Sequence, residues 1–119
     1  MAHRRQRVEE EIQRQVSRIL LENLQDRRLA LLSVTAVRAS PDLRHAFVYL
    51  SILGGAAEVE RTLKLLDKAR GFVRHELGSA MRLRRVPEIE FRLDQEVRRE
   101  SRVEDLLSRL RSGGLDGEE

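Results

Sequence analysis

This chain of 119 residues predicts an α+β fold, a two-layer α/β sandwich. Three observations point there. Two long segments carry apolar residues at helical spacing. Three short ones alternate in the manner of strands, and the last of these has one charged face. A sheet with one wet face takes helices on its other side only. The length suits one domain with a single core.

The first helix is expected over residues 8–24, where Val8, Ile12, Val16, Ile19, Leu20 and Leu24 form one apolar stripe. Glu9, Glu10 and Glu11 then occupy its first turn, where the helix dipole favours negative charge. Two strands follow. Leu32, Val34 and Ala36 alternate with Ser33, Thr35 and Val37, and Ala46, Val48, Leu50 and Ile52 alternate with Phe47, Tyr49 and Ser51. Between them lies Ser40-Pro41-Asp42-Leu43. Pro41 presets its own φ and Asp42 can bond nearby amides, so the pair reads as an antiparallel hairpin. Gly54-Gly55 ends the second strand.

Helical spacing returns over residues 58–81 through Val59, Leu63, Leu66, Val73, Leu77 and Ala80. Arg70 fills a slot where an apolar residue belongs. Gly71 beside it costs about 1 kcal/mol in a helix interior. Unbroken, this helix would run roughly 36 Å, long for so small a domain. We therefore expect a break at Ala69-Arg70-Gly71. Pro87 opens the last strand, with Ile89, Phe91 and Leu93 facing one way and Glu88, Glu90 and Arg92 the other. Val103, Leu106, Leu107 and Leu110 have the spacing of a short final helix. The order is α-β-β-α-α-β plus a C-terminal helix, the order of the type II KH fold, an RNA-binding module. The expected division is a KH-like RNA-binding domain over residues 1–95, a C-terminal helix over 96–112 and an acidic disordered tail over 113–119.

Composition narrows the function. Of 23 Lys and Arg, all but Lys64 and Lys68 are arginine, which offers phosphate a planar fork of donors. Residues 1–87 carry 17 Lys and Arg against 10 Asp and Glu, a net +7; residues 88–119 carry 6 against 10, a net −4. A basic body with an acidic end favours a polyanionic partner. A salt-laced surface explains the same composition. Cys is absent, which excludes disulfides and thiol chemistry. No stretch reaches the roughly 18 apolar residues of a membrane span, and no apolar run follows the start as in a secretory signal. A soluble cytoplasmic protein is expected. No phosphate-binding glycine loop is present, and His3, His45 and His75 lack metal-ligand spacing. The chain is therefore expected to be no enzyme, and to use no cofactor, metal or small-molecule substrate.

Several short matches accumulate along the chain: Arg7-Val8, Ser40-Pro41-Asp42-Leu43, Ala46-x-Val48-Tyr49, Ala69-x-Gly71-Phe72-Val73-Arg74-x-Glu76-Leu77, and Leu83-Arg84-x-x-Pro87-Glu88-Ile89-x-Phe91-x-x-Asp94. In this order, over nearly the whole length, they resemble the ribosome-binding factor A family. The resemblance implies a KH-like fold in which Ala-x-Gly, here Ala69-Arg70-Gly71, stands at the helix kink in place of Gly-x-x-Gly. It implies a monomer that binds 16S rRNA on the 30S ribosomal subunit, near the RNA's 5′ end, and assists late subunit maturation, chiefly in the cold. The sequence departs at Asp26-Arg27-Arg28, where the family commonly has Asp-Pro-Arg. Its C-terminal segment matches less closely.

Each candidate RNA-binding residue has a plainer alternative. Gly71 would let a nucleic-acid backbone come close, or only permit a sharp helix turn. Lys64 with Lys68, and Arg70 with Arg74, are like-charged i,i+4 pairs that phosphate would relieve; a solvated face is the alternative. Arg82, Arg84 and Arg85 form the densest internal basic cluster, although Arg82 also suits a helix C-cap. Arg4, Arg5 and Arg7 would make a mobile basic arm, unless Glu9, Glu10 and Glu11 neutralise them. Phe72 and Phe91 fit core positions. Phe47 and Tyr49 share a strand face and would pack there or stack on bases. Two further readings stay open: a generic KH-type binder of single-stranded RNA, and a protein–protein adaptor.

Overall fold

The computed structural model describes residues 2–23 and 32–94. The expected C-terminal helix over 96–112 and tail over 113–119 lie outside the described residues, as does the run Asp26-Arg27-Arg28. The element order is α1 (Ala2–Asn23), β1 (Leu32–Ala39), β2 (His45–Ile52), α2 (Ala56–Lys68), α3 (Arg70–Met81) and β3 (Glu88–Leu93). The strands form one mixed sheet in the order β1-β2-β3, with β1 antiparallel and β3 parallel to the central β2. The helices cover one face. The core between the layers holds Ile12, Val16 and Ile19 from α1, Val48 and Leu50 from β2, Leu66 from α2, Val73 and Leu77 from α3, and Ile89 from β3, all essentially fully buried. This is the α+β sandwich that the periodicities require.

Three local features differ from expectation. First, α1 starts at Ala2 and not near Val8. Ala, Arg and Gln are good helix formers, so the helix runs back through Arg4, Arg5 and Arg7. Glu9, Glu10 and Glu11 therefore lie beyond the first turn. Second, β1 does not alternate evenly. Its register with β2 shifts between Val34 and Ala36, a bulge at Thr35. The extra residue swaps the faces, so Val37 is buried and Ala36 is not. The Thr35 hydroxyl is held at the sheet's outer face by Asp94 Oδ2, 2.6 Å away. Third, Phe72 is 41% exposed, outside the core assigned to it.

The hairpin turn follows its residues. Leu43 N–H donates to Ser40 O at 2.8 Å, and Leu43 takes φ 60°. Asp42 Oδ1 accepts from the Ser40 hydroxyl at 2.7 Å and from the Arg44 N–H at 3.1 Å. These bonds, the serine hydroxyl first, hold the exposed Asp42 carboxyl below its ordinary pKa. Gly54, at φ 133°, lies in a backbone region that side chains rarely adopt, which lets the chain turn from β2 into α2.

Gly78 is required by packing. A Cβ built there would lie 2.7 Å from Val86 Cγ2, where α3 touches the segment entering β3. Gly78→Ala is expected to lose about 1 kcal/mol net: overpacking strain of about 1–3 kcal/mol outweighs the better helix propensity of alanine. Chemical denaturation of Gly78→Ala, with and without Val86→Ala to make room, checks this. The double variant should lose less than the two separate losses added together.

Candidate nucleic-acid interface

The helix break falls where the sequence places it. Ala69 adopts φ −87° and ψ 0°, and its N–H is shared between Leu65 O and Leu66 O at 3.1 and 3.0 Å. That tightened turn redirects the chain, and α3 resumes at once as Val73 N–H donates to Ala69 O at 2.9 Å. The turning residue is thus Ala69. Gly71 is already inside α3 without positive φ, and nothing lies within 4 Å of where its Cβ would be. The fold makes no demand for glycine there. Exposed Phe72 follows it directly, a residue that stepping off the Val73–Leu77 stripe would have flagged.

The cations expected at this junction have unequal freedom. Arg70 Nε pairs with Asp67 Oδ1 at 3.1 Å, both well exposed. Arg74 is committed inside the fold: Nε donates to Pro87 O at 3.0 Å, Nη2 to Val86 O at 2.8 Å, and Nη1 lies 3.6 Å from Glu88 Oε2. Its fork ties α3 to the start of β3. Arg74→Ala should destabilise the protein by about 2 kcal/mol, since it strips charged donors from two part-buried carbonyls. Thermal unfolding checks this, and a Lys substitution should recover only part, lacking the fork. Lys64 sits 3.7 Å from Glu60 Oε2. Lys68 has no partner among the described residues. Both line a groove against Phe91.

Arg82, Arg84 and Arg85 lie at the other end of α3 from Gly71, roughly 17 Å along the helix axis. They therefore do not ring the kink. Arg82 terminates α3 in the left-handed region, at φ 52° and ψ 44°, and Leu83 N–H returns to Gly78 O at 3.2 Å. This is the helix-ending position where glycine is usual. The C-cap reading of Arg82 therefore describes its backbone and leaves its side chain exposed.

The fold gathers other arginines toward that second end. Glu88 N–H donates to Arg44 O at 2.8 Å, so the segment carrying Arg82, Arg84 and Arg85 meets the hairpin-turn end of the sheet. Glu9 Oε2 accepts from Ala39 N–H at 2.8 Å, which sets the N-terminal part of α1 at the same end. Arg4 and Arg5 line a hollow of about 280 Å³ there with Pro41, Asp42 and Leu43. The basic arm is therefore helical and docked. Two of its three expected neutralisers are used elsewhere, Glu9 on Ala39 and Glu11 on Arg14, both at 2.8 Å. Arg4, Arg5, Arg7, Arg82, Arg84 and Arg85 have no ion-pair partner among the described residues. Arg44 is held only loosely, 3.9 Å from Asp42 Oδ2.

On the opposite face of the sheet from the helices, Arg92 stacks over Phe47 at 4.2 Å from the ring centroid and pairs with Glu90 Oε2 at 2.9 Å. Phe47 and Tyr49 are half-buried on this face. Cation and ring thus satisfy one another there.

Residues 4–107 match the family description "Ribosome-binding factor A". The chain is 44% identical over 111 residues to the ribosome-binding factor A of Latilactobacillus sakei, covering 92% of this chain and 94% of that one. It is 42% identical over 117 residues to that of Lacticaseibacillus casei, covering 98% and 100%. Among solved structures, the crystal structure of ribosome-binding factor A from Thermus thermophilus superposes with a TM-score of 0.66 at 30% identity, over 75% of this chain and 94% of that one. A homology model of Thermus thermophilus ribosome-binding factor A, as fitted into the cryo-EM map of a 30S complex with that factor, gives 0.64 at 31% identity, over 74% and 92%.

Proposed function

The chain belongs to the ribosome-binding factor A family, and from that membership we propose that it is a ribosome assembly factor, which binds 16S rRNA on the free 30S subunit and assists late maturation and 5′-end processing of that RNA. It acts in the cytoplasm as a monomer, without catalysis or cofactor. Binding energy favours one rRNA conformation over its competitors, and release needs a separate drive. Competing RNA pairings persist longer at low temperature, so the need for such a factor rises in the cold.

The observation that carries this reading is the collection at one end of the sandwich of arginines distant in sequence, Arg4, Arg5 and Arg7 with Arg82, Arg84 and Arg85, free of described carboxylate partners. Such a cluster recognises the spacing of phosphates on a folded RNA more than the identity of bases. Arg70 and Gly71 add a second contact at the head of α3. Lys64 and Lys68 contribute to the field from the groove beside it. Arg74 has no part, its guanidinium being used within the fold.

Sedimentation tests the reading. The protein should travel with free small subunits and leave them as salt rises, and a short single-stranded oligonucleotide should bind far more weakly. Protein that never leaves the free-protein fractions would refute it. Equal affinity for the oligonucleotide would mark a generic RNA binder.

A further inference from the structure

The two edges of the sheet are treated differently. The outer edge of β1 is partly covered: Glu9 Oε2 accepts from Ala39 N–H at 2.8 Å, Gln13 Nε2 donates to Val34 O at 3.2 Å, and the Thr35 bulge interrupts the strand between them. Among the described residues, nothing pairs with the outer edge of β3. Glu88 N–H donates to Arg44 O and Asp94 N–H to Leu50 O, both at 2.8 Å. Alternate residues of a parallel strand turn their amide groups to opposite sides, so residues 88, 90, 92 and 94 face β2. Ile89, Phe91 and Leu93 therefore turn both N–H and C=O outward. Of these groups only Ile89 O has a partner among the described residues, Arg70 Nη1 at 3.5 Å.

Beside this edge lies a groove of about 400 Å³, lined by Glu60, Leu63, Lys64, Asp67 and Lys68 of α2 and by Phe91. Glu60 is paired with Lys64 and Asp67 with Arg70, which leaves Lys68 as the groove charge with no partner among the described residues.

We infer that the outer edge of β3 receives an extended peptide strand from another protein, which joins the sheet as a fourth strand. The outward amides of Phe91 and Leu93 recur at strand spacing, so an extended polypeptide matches them bond for bond. Leu63 and Phe91 take an apolar side chain of that strand, and Lys68 takes a carboxylate next to it. An RNA strand would satisfy Lys68 but carries no alternating row of amides. The inference rests on the outward amides of β3, which the proposed RNA contact does not use, although Lys68 lies beside both.

The test uses the full chain, isotope-labelled for NMR. The probe is a synthetic heptapeptide that alternates valine with threonine and carries one glutamate. The amides of Phe91 and Leu93 should shift most and exchange more slowly on binding. N-methylation of the peptide amides that face β3, which keeps the side chains, should weaken binding about tenfold or more. Leu93→Pro should do the same by removing an outward N–H that β2 does not use, while Leu93→Ala should bind normally. Lys68→Glu should weaken binding a few-fold. Four results would overturn the inference: equal binding of the N-methylated peptide, shifts centred on the opposite sheet face, Phe91 and Leu93 amides already slow to exchange in the free chain, or an oligouridylate moving these amides while the peptide does not.

Discussion

Gly71→Ala is expected to make the protein more stable and worse at binding the small subunit. In a helix alanine is better than glycine by about 0.5–1 kcal/mol, because glycine loses more backbone freedom on folding. The gain is collected only where the methyl group meets no obstacle. At Gly71 the backbone is not left-handed and the Cβ position is empty out to 4 Å. The turn it would otherwise serve is made by Ala69. The chain thus carries a destabilising residue with no return among the described residues. A missing side chain has one other use, which is to let something come close from outside. An added methyl would hold a phosphate–sugar backbone off that surface and weaken binding about tenfold, or about 1.4 kcal/mol. Thermal unfolding should show a melting temperature higher by a few degrees. Titration against purified small subunits should show the loss, larger for Gly71→Val. An alanine variant that is stabilised but binds unchanged would leave the open surface at Gly71 without a role.

How much was legible in the residues varied with the range of the cause. The hairpin was plain because Ser40, Pro41 and Asp42 act on their own neighbours. The kink was legible because Arg70 fills an apolar slot, Gly71 is costly inside a helix, and an unbroken helix would be long for so small a domain. The face swap in β1 was hidden, since Leu32 to Val37 reads as unbroken alternation and the bulge at Thr35 depends on strand pairing. The structural role of Arg74 was hidden for a related reason. Its i,i+4 spacing from Arg70 is visible, but the carbonyls of Val86 and Pro87 that it binds reach it only through tertiary packing. Phe72 was counted as core because aromatic residues usually are; its position one step off the buried stripe was the better guide. The shared location of Arg4 and Arg85 was beyond any local pattern, because it follows from how α1, the hairpin and β3 assemble.

That shared location supports the largest expected effect. Combining Arg82→Gly, Arg84→Ala and Arg85→Ala should reduce affinity for the small subunit roughly a hundredfold near 0.1 M salt, and should flatten its salt dependence. Each arginine that neutralises a phosphate releases about one counterion, so the slope of log affinity against log salt should fall by about one per lost contact. Stability should not follow. Arg84 and Arg85 are exposed without described partners, where substitutions usually change stability by less than about 0.5 kcal/mol. Arg82→Gly should even gain about 1 kcal/mol, because it relieves a left-handed arginine at φ 52°. Glycine there would give an easier helix end, so the arginine side chain is retained against a backbone penalty. The pattern at Arg82 is the reverse of that at Gly71: one position keeps a side chain the backbone disfavours, the other omits one it would accept. A variant with Lys at positions 84 and 85 separates charge from geometry. It should keep the salt slope and lose part of the affinity if the forks meet phosphate oxygens in pairs. A triple variant with wild-type affinity and slope would make this end an ordinary solvated surface, and the contact with RNA would have to lie elsewhere on the sandwich.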